Sequence, residues 1–319
     1  MLKRLAPVCV LFVLSPLIAE YLSGSMAMAQ ITLLPFMMLL YGGGAVLVRE
    51  AVRHTRRGWA SIALLGLAYG LLEEGLFDQS LFNPHFVGLH LLDYGHWAPL
   101  GIGIPWTLYV LGIHVVWSIM VPVAVVELLV QEQRTTPWLR GPGLAVTALL
   151  YAAGAAMVTF GTAHQEHFMA SPLQLGVAGA AALAAIVLAF ALPAPHPTEG
   201  KVTAPWIAGL LSFAACSAAV LTYGQGANTL HWPWPVVAAG IGGCAVAMLA
   251  FGAVVTRRSS WNNRHRFAMT AGALLVYCWF GFMIEISLHK TTNLLPHAAL
   301  ATAMLILLAI TGWRVRDAR

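Results

Sequence analysis

Ala60-Ser61-Ile62-Ala63-Leu64-Leu65-Gly66-Leu67-Ala68-Tyr69-Gly70-Leu71-Leu72-Glu73-Glu74-Gly75-Leu76-Phe77 is the stretch whose reading decides the fold. It carries no charge from Ala60 to Leu72, follows Arg53, Arg56 and Arg57, and closes on two adjacent glutamates. A helix needs roughly 20 mostly apolar residues to cross a bilayer, and this run nearly meets that length. Similar runs recur on both sides of it. We expect spans near 5–22, 31–48, 60–77, 105–126, 141–163, 172–192, 205–223, 234–255, 267–286 and 296–313. The fold class expected is therefore all-α: a polytopic transmembrane bundle of about ten spans, forming a single integral membrane domain over 1–319.

Composition agrees. Of 319 residues, 59% are hydrophobic and 9% charged, against about 25% charged in a typical soluble domain. Mean hydropathy is +0.77. Lysine and arginine favour cytoplasmic loops. With both termini placed in the cytoplasm, 16 of the 17 basic residues fall on the inner side, Lys3, Arg4 and Arg319 among them, and only Lys290 falls outside. The net charge of +5 is spread over short loops and forms no face for nucleic acid. Cys9, Cys216, Cys244 and Cys278 all lie in apolar runs without a C-x-x-C pair, so no disulfide or thiolate metal site is expected. Lys3-Arg4, the apolar run after it and Ala27-Met28-Ala29 also fit a cleavable secretory signal, with Pro16 and Glu20 set against it.

The spans differ in kind. Those between 141 and 255 are rich in alanine and glycine and hold no acidic residue within the apolar run. Small residues let membrane helices pack closely, so packing is their expected role. A polar pocket is expected mainly from 1–130 and 267–319. Glu20, Glu73, Glu74, Asp78, Asp93, Glu166 and Glu285 all lie in the outer half of a span or in an outer loop. Most histidines share that bias; His54, His196 and His265 are inner. A charge at membrane depth costs about 2.5–3.5 kcal/mol on insertion scales and faces a partner or a wet cavity.

Glu73 and Glu74 point about 100° apart on an α-helix, whereas Glu74 and Asp78 share a face at i, i+4. Glu285 and His289 have the same spacing. His114 sits about 13 Å down the fourth span from Pro105 at 1.5 Å per residue. The expectation is convergence: a carboxyl oxygen of Glu73 or Glu74 within about 6 Å of His114, with Glu20 or Glu285 on the same cavity. Three chemistries suit such a pocket. It could bind a divalent metal, with Glu74, Asp78 and His114 as candidate ligands. It could do general acid–base work through Glu73, Glu74 and His114. It could bind substrate, protons or cations through Glu20, Asp78, Glu285 and His289. A hydrogen-bonded cluster that only fixes helix register is the structural alternative.

The outer loop from Gln79 to Ile104 holds Asn83-Pro84, His85, His90, Asp93, His96 and Trp97. Its length and apolar content suggest a lid over the pocket; an interfacial loop anchored by Trp97 and Trp106 is the other reading. His164-Gln165-Glu166-His167 lacks the H-E-x-x-H order of a zinc protease. His231-Trp232-Pro233-Trp234-Pro235 reads as an interfacial belt. No G-x-x-x-x-G-K-[ST] loop or G-x-S-x-G elbow occurs, so no nucleotide cofactor is expected.

Two resemblances follow from particular residues. Ser15-Pro16-Leu17-Ile18-Ala19-Glu20-Tyr21-Leu22-Ser23-Gly24, Tyr41-Gly42-Gly43-Gly44, and Glu73-Glu74-Gly75-Leu76 through Leu81-Phe82-Asn83-Pro84 resemble a group of uncharacterised bacterial multipass membrane proteins, which implies the bacterial cytoplasmic membrane. The adjacent glutamates followed by His114 and Ser118 resemble the CAAX-protease and bacteriocin-processing family. That resemblance implies Glu73 activating water, Glu74 supporting it, and His114 binding an oxyanion or positioning the water. Asp78 stands at that family's arginine place, Val110 at its phenylalanine and Ser118 at its asparagine. The leading expectation is a membrane-embedded hydrolase of peptide or lipid. A proton- or cation-coupled transporter and a non-catalytic envelope partner are the alternatives. The partners expected are the bilayer and a small molecule, lipid or peptide, with no nucleic acid.

Overall fold

The computed structural model describes residues 2–194, 198–227 and 229–317, with side chains from Leu5 onward. The inner placements of the Lys3, Arg4, His196 and Arg319 side chains lie outside it. Among the described residues nine helices are long and apolar enough to cross a membrane, and a shorter apolar helix precedes them. In chain order they are α1 Leu5–Tyr21, α2 Met28–His54, α3 Trp59–Phe77, α4 Ile104–Leu129, α5 Gly141–Glu166, α6 Pro172–Ala191, α7 Pro205–Ala227, α8 Trp234–Val255, α9 Asn263–Ser287 and α10 Thr291–Asp317. The protein is an all-α polytopic bundle.

Local chemistry sets the helix starts. Proline opens the first turn of α4, α5, α6, α7 and α8, where its missing N–H costs nothing. Ser171 accepts from the Gln174 backbone and caps α6, and Asn262 caps α9 in the same way. The largest departure from the expected spans is α2, which continues to His54 instead of ending near 48. Its last turns are buried because Arg49, Glu50 and Arg53 are paired there.

Helix α4 is the hub, with contacts to α1, α2, α3, α8, α9 and α10. Of its most apolar window 61% is buried, against 11% for α8. Trp117 of α4 stacks on Tyr277 of α9 at 4.2 Å and donates to the Ala273 carbonyl at 2.9 Å. Helices α5 to α8 carry the outward apolar surface, with Leu149, Phe160, Leu173, Leu183 and Val246 exposed. That face suits lipid.

Two close approaches position the polar centre. A Cβ on Gly42 of α2 would strike the Phe12 backbone of α1, and one on Gly70 of α3 would meet the His114 Cβ of α4 at 3.0 Å. Small residues at such crossings let membrane helices come within reach of each other's side chains.

Candidate functional site

Among the described residues five helices contain a π-turn, α7 at Thr222–Ala227 among them, and in the other four the turn carries the polar residues of one centre. Those four turns are Leu17–Tyr21 in α1, Met38–Gly42 in α2, Glu73–Phe77 in α3 and His114–Met120 in α4. They hold Glu20, Tyr41, Glu73 with Glu74, and His114 with Ser118. Single π-turns within α-helices are uncommon and gather at functional sites. An i→i+5 turn also rotates less per residue than an α-turn. This resolves the geometric conflict in Glu73-Glu74: both carboxylates reach one neighbour.

That neighbour is His114. Its Nε2 lies 2.6 Å from Glu74 Oε1 and 2.8 Å from Glu73 Oε2. All three side chains are buried, at 4–6% exposure. A ring nitrogen carries one proton at most. It makes its hydrogen bond with Glu74, and Glu73 Oε2 stays beside it without one. The other ends are held too. Tyr41 donates to Glu73 Oε1 at 2.8 Å, Ser80 donates to Glu74 Oε2, and Ser118 Oγ lies 3.0 Å from His114 Nδ1. The Ser118 hydroxyl can serve either ring state, as donor to a neutral imidazole or acceptor from an imidazolium. Ser15 of α1 donates to the Tyr41 and Ser118 carbonyls at 3.2 and 2.7 Å, tying three helices at this level. The Tyr69 ring, 5.8 Å from that of His114, has a buried hydroxyl with no partner.

Two carboxylates and an imidazole that share one hydrogen leave negative charge to be neutralised at low dielectric. An extra proton or a divalent cation would do it. Among the described residues, Glu73, Glu74 and His114 form a group whose ligand atoms lie within 4.8 Å of one another. One imidazole and two carboxylates suit zinc with an open position.

The centre connects outward. Glu20 lies beside the Tyr41 hydroxyl, and its Oε2 accepts from Ser25 Oγ at 3.1 Å. Ser25 is exposed and bonds Ser23 at 2.6 Å. A polar thread thus runs from the surface through Ser25, Glu20 and Tyr41 to Glu73.

The other expected residues divide differently. Asp78 stays within charge range of Glu74, Glu73 and His114, but it bonds none of them: its Oδ1 accepts the Ser80 backbone at 3.0 Å. It is replaced in the ligand group by Glu73. Glu285 and His289 do not pair, because α9 ends at Ser287 and His289 turns out exposed with φ at +57°. Glu285 instead meets His297 Nδ1 of α10 at 2.9 Å and accepts from Asn293, all three buried. It belongs to this second cluster and not to the Glu73 centre.

Sequence reasoning singled out Ser118 beside His114 but missed Tyr41, Ser80, Asn293 and His297 as partners. The expected second span near 31–48 also stops short of Arg49 and Glu50, which are fully buried and paired at the inner end of α2.

The loop after α3 begins as a cover. Ser80, Leu81, Phe82 and Asn83 are buried, and Gln79 accepts the Ala170 backbone at 2.7 Å. Glu166 holds it down, accepting from Asn83 Nδ2 and the Val87 backbone at 3.2 Å each. Further on, His96–Trp97 pairs with Ile102–Gly103 in a two-stranded hairpin. His90 and Asp93 are exposed.

The model of a family described as an uncharacterized membrane protein family matches residues 9–318. The chain belongs to that family. Its description carries no activity. Searches of curated proteins and of solved structures gave no match.

Proposed function

We propose that the protein is a membrane-embedded hydrolase of peptide or lipid in the bacterial cytoplasmic membrane, with Glu73, Glu74 and His114 as its catalytic centre. The observation that carries this reading is the meeting of two buried carboxylates on one imidazole nitrogen. Close carboxylates in a dry site share protons at neutral pH, which suits general acid–base work. Glu73, with an oxygen free of hydrogen bonds, takes a proton from water as its oxygen attacks the carbonyl carbon. As charge develops, the Nε2–H of His114 turns from Glu74 to the tetrahedral oxyanion, while Ser80 keeps its hold on Glu74. The proton on Glu73 then passes to the leaving nitrogen or oxygen as that bond breaks. The motif likeness to CAAX-type proteases points the same way.

A proton-coupled carrier is the second reading, favoured by the thread Ser25–Glu20–Tyr41–Glu73. One set of experiments separates them. Purified protein in lipid nanodiscs is offered lipid esters and membrane-spanning peptides. Glu73→Gln should cut turnover by about 10²–10⁴ with substrate binding kept. Loss of turnover in a zinc chelator would assign the neutralising charge to a metal; persistence would assign it to a proton. Proton uptake into proteoliposomes that Glu73→Gln abolishes, with no cleavage by the wild type, would replace the hydrolase with the carrier. A folded Glu73→Gln variant that behaves as wild type in both assays would sink both and leave a non-catalytic partner.

A further inference from the structure

The inner end of the bundle holds a second polar feature, far from the Glu73 centre along the chain axis of α3 and α4. A cavity of about 440 Å³ opens there, lined by Arg53, Arg56, Arg57, Arg134 and Arg266 with Glu127 as its sole acidic wall residue. That volume is in the usual range for a small-molecule site. Lysine and arginine placement puts this face in the cytoplasm.

The charges do not balance. Glu127 is already spent: it accepts from Arg53 Nε and Nη2 at 2.7 Å each and from Arg49 Nε at 3.1 Å. Arg49 is covered by Glu50 as well, so that pair adds nothing to the cavity. Five wall guanidiniums therefore face one carboxylate, an excess of four positive charges. Several of their donors are idle. Arg57 Nε and Arg266 Nε are buried without a hydrogen-bond partner. Arg134 and Arg266 both lean on one acceptor, Asn263 Oδ1, at 2.7 and 3.0 Å. Burial holds the Arg134 guanidinium below the usual arginine range; Glu127 pulls it back up and the like charge of Arg53 pushes it down. The uncapped start of α3 at Gly58 and Trp59 also lines the cavity, adding backbone N–H donors and the positive end of a helix dipole.

Clustered arginines with free N–H groups, at a helix N-terminus, are matched by the oxygens of a phosphate. We propose that this cavity binds a phosphate-bearing anion and that its occupant is the headgroup of an anionic phospholipid of the inner leaflet. Basic pockets between transmembrane helices on the cytoplasmic side take such headgroups. The site lies at the inner ends of α3 and α4, where the apolar spans give way to basic loops, and the exposed apolar faces of α5 to α8 offer a surface for acyl chains.

Delipidated full-length protein in neutral detergent provides the test. Phosphatidylglycerol should raise its melting temperature in a saturable way, and phosphatidylcholine should not. Arg56→Gln/Arg266→Gln should weaken that binding at least tenfold. Arg56→Gln alone, at an exposed position, should weaken it by a smaller factor and guards against misfolding of the double variant. Glu73→Gln should leave it unchanged. A shift produced by inorganic phosphate or a nucleotide but not by phosphatidylglycerol would overturn the lipid assignment in favour of a soluble phosphate. Equal shifts by both phospholipids, or a shift that survives both arginine variants, would overturn the site itself.

Discussion

At the scale of single residues, the positions that sequence could find were those whose presence is costly. Glu73, Glu74 and His114 stood out because ionisable groups in apolar runs need a reason, and the structure brings them within 2.8 Å. Tyr41, Ser80 and Ser118 hold them in place; Ser118 was marked by its place four residues after His114, but Tyr41 and Ser80 are of types ordinary in membrane helices and give no warning. Tyr41→Phe removes a hydrogen bond to a carboxylate, worth about 1.5–3 kcal/mol. On the hydrolase reading it should slow turnover roughly tenfold or more and displace the acid limb of the pH–rate profile; an unchanged profile would remove Tyr41 from the centre. The inner network gives a stability prediction. Glu127→Ala strips the partner from Arg53 and one partner from Arg49 while both stay buried. Breaking a buried ion pair on one side costs about 3–5 kcal/mol, so the variant should lose most of its folded yield in a fluorescence size-exclusion assay, and Glu285→Gln should lose less.

At the scale of elements, the ten apolar runs were legible because bilayer thickness sets a length that composition must meet. The π-turns around Glu73 and His114 were not. They follow from packing among four helices, and no period or residue type in the sequence marks them. Helical spacing also paired His289 with Glu285, but α9 ends at Ser287 before that turn is complete, and Glu285 meets His297 instead. The end of α2 was misjudged for a related reason: Arg49, Glu50 and Arg53 look like loop charges until Glu127 is seen opposite them. The close helix approaches carry their own test. Gly70→Val would press on His114 and Leu111, and overpacking costs about 1–3 kcal/mol. It should lower the melting temperature and abolish turnover together. Gly112→Val, at a position with open space around it, should do neither.

At the scale of the whole molecule, the alternation of basic loops is the strongest statement of orientation. Reporter fusions at Arg57, Arg134, Lys201 and Arg264 should read cytoplasmic, and fusions at His90, His164 and His231 should read external. A cytoplasmic signal at His90 would invert the molecule and open the polar thread to the Glu73 centre toward the cytoplasm. With the expected orientation, the depth of that centre has an electrical consequence. His114 lies ten residues into α4, about 15 Å from the outer end at 1.5 Å per residue and so near the middle of a 30 Å hydrocarbon core. A proton that reaches it by way of Ser25 and Glu20 crosses roughly half of the transmembrane voltage. At about 2.3 kcal/mol per charge per 100 mV, half the drop is worth about 1.1 kcal/mol, or close to 0.8 of a pH unit. Proteoliposomes clamped inside-negative should therefore show their protonation midpoint moved up by that amount for each 100 mV. The energised membrane would itself set how often the centre is charged.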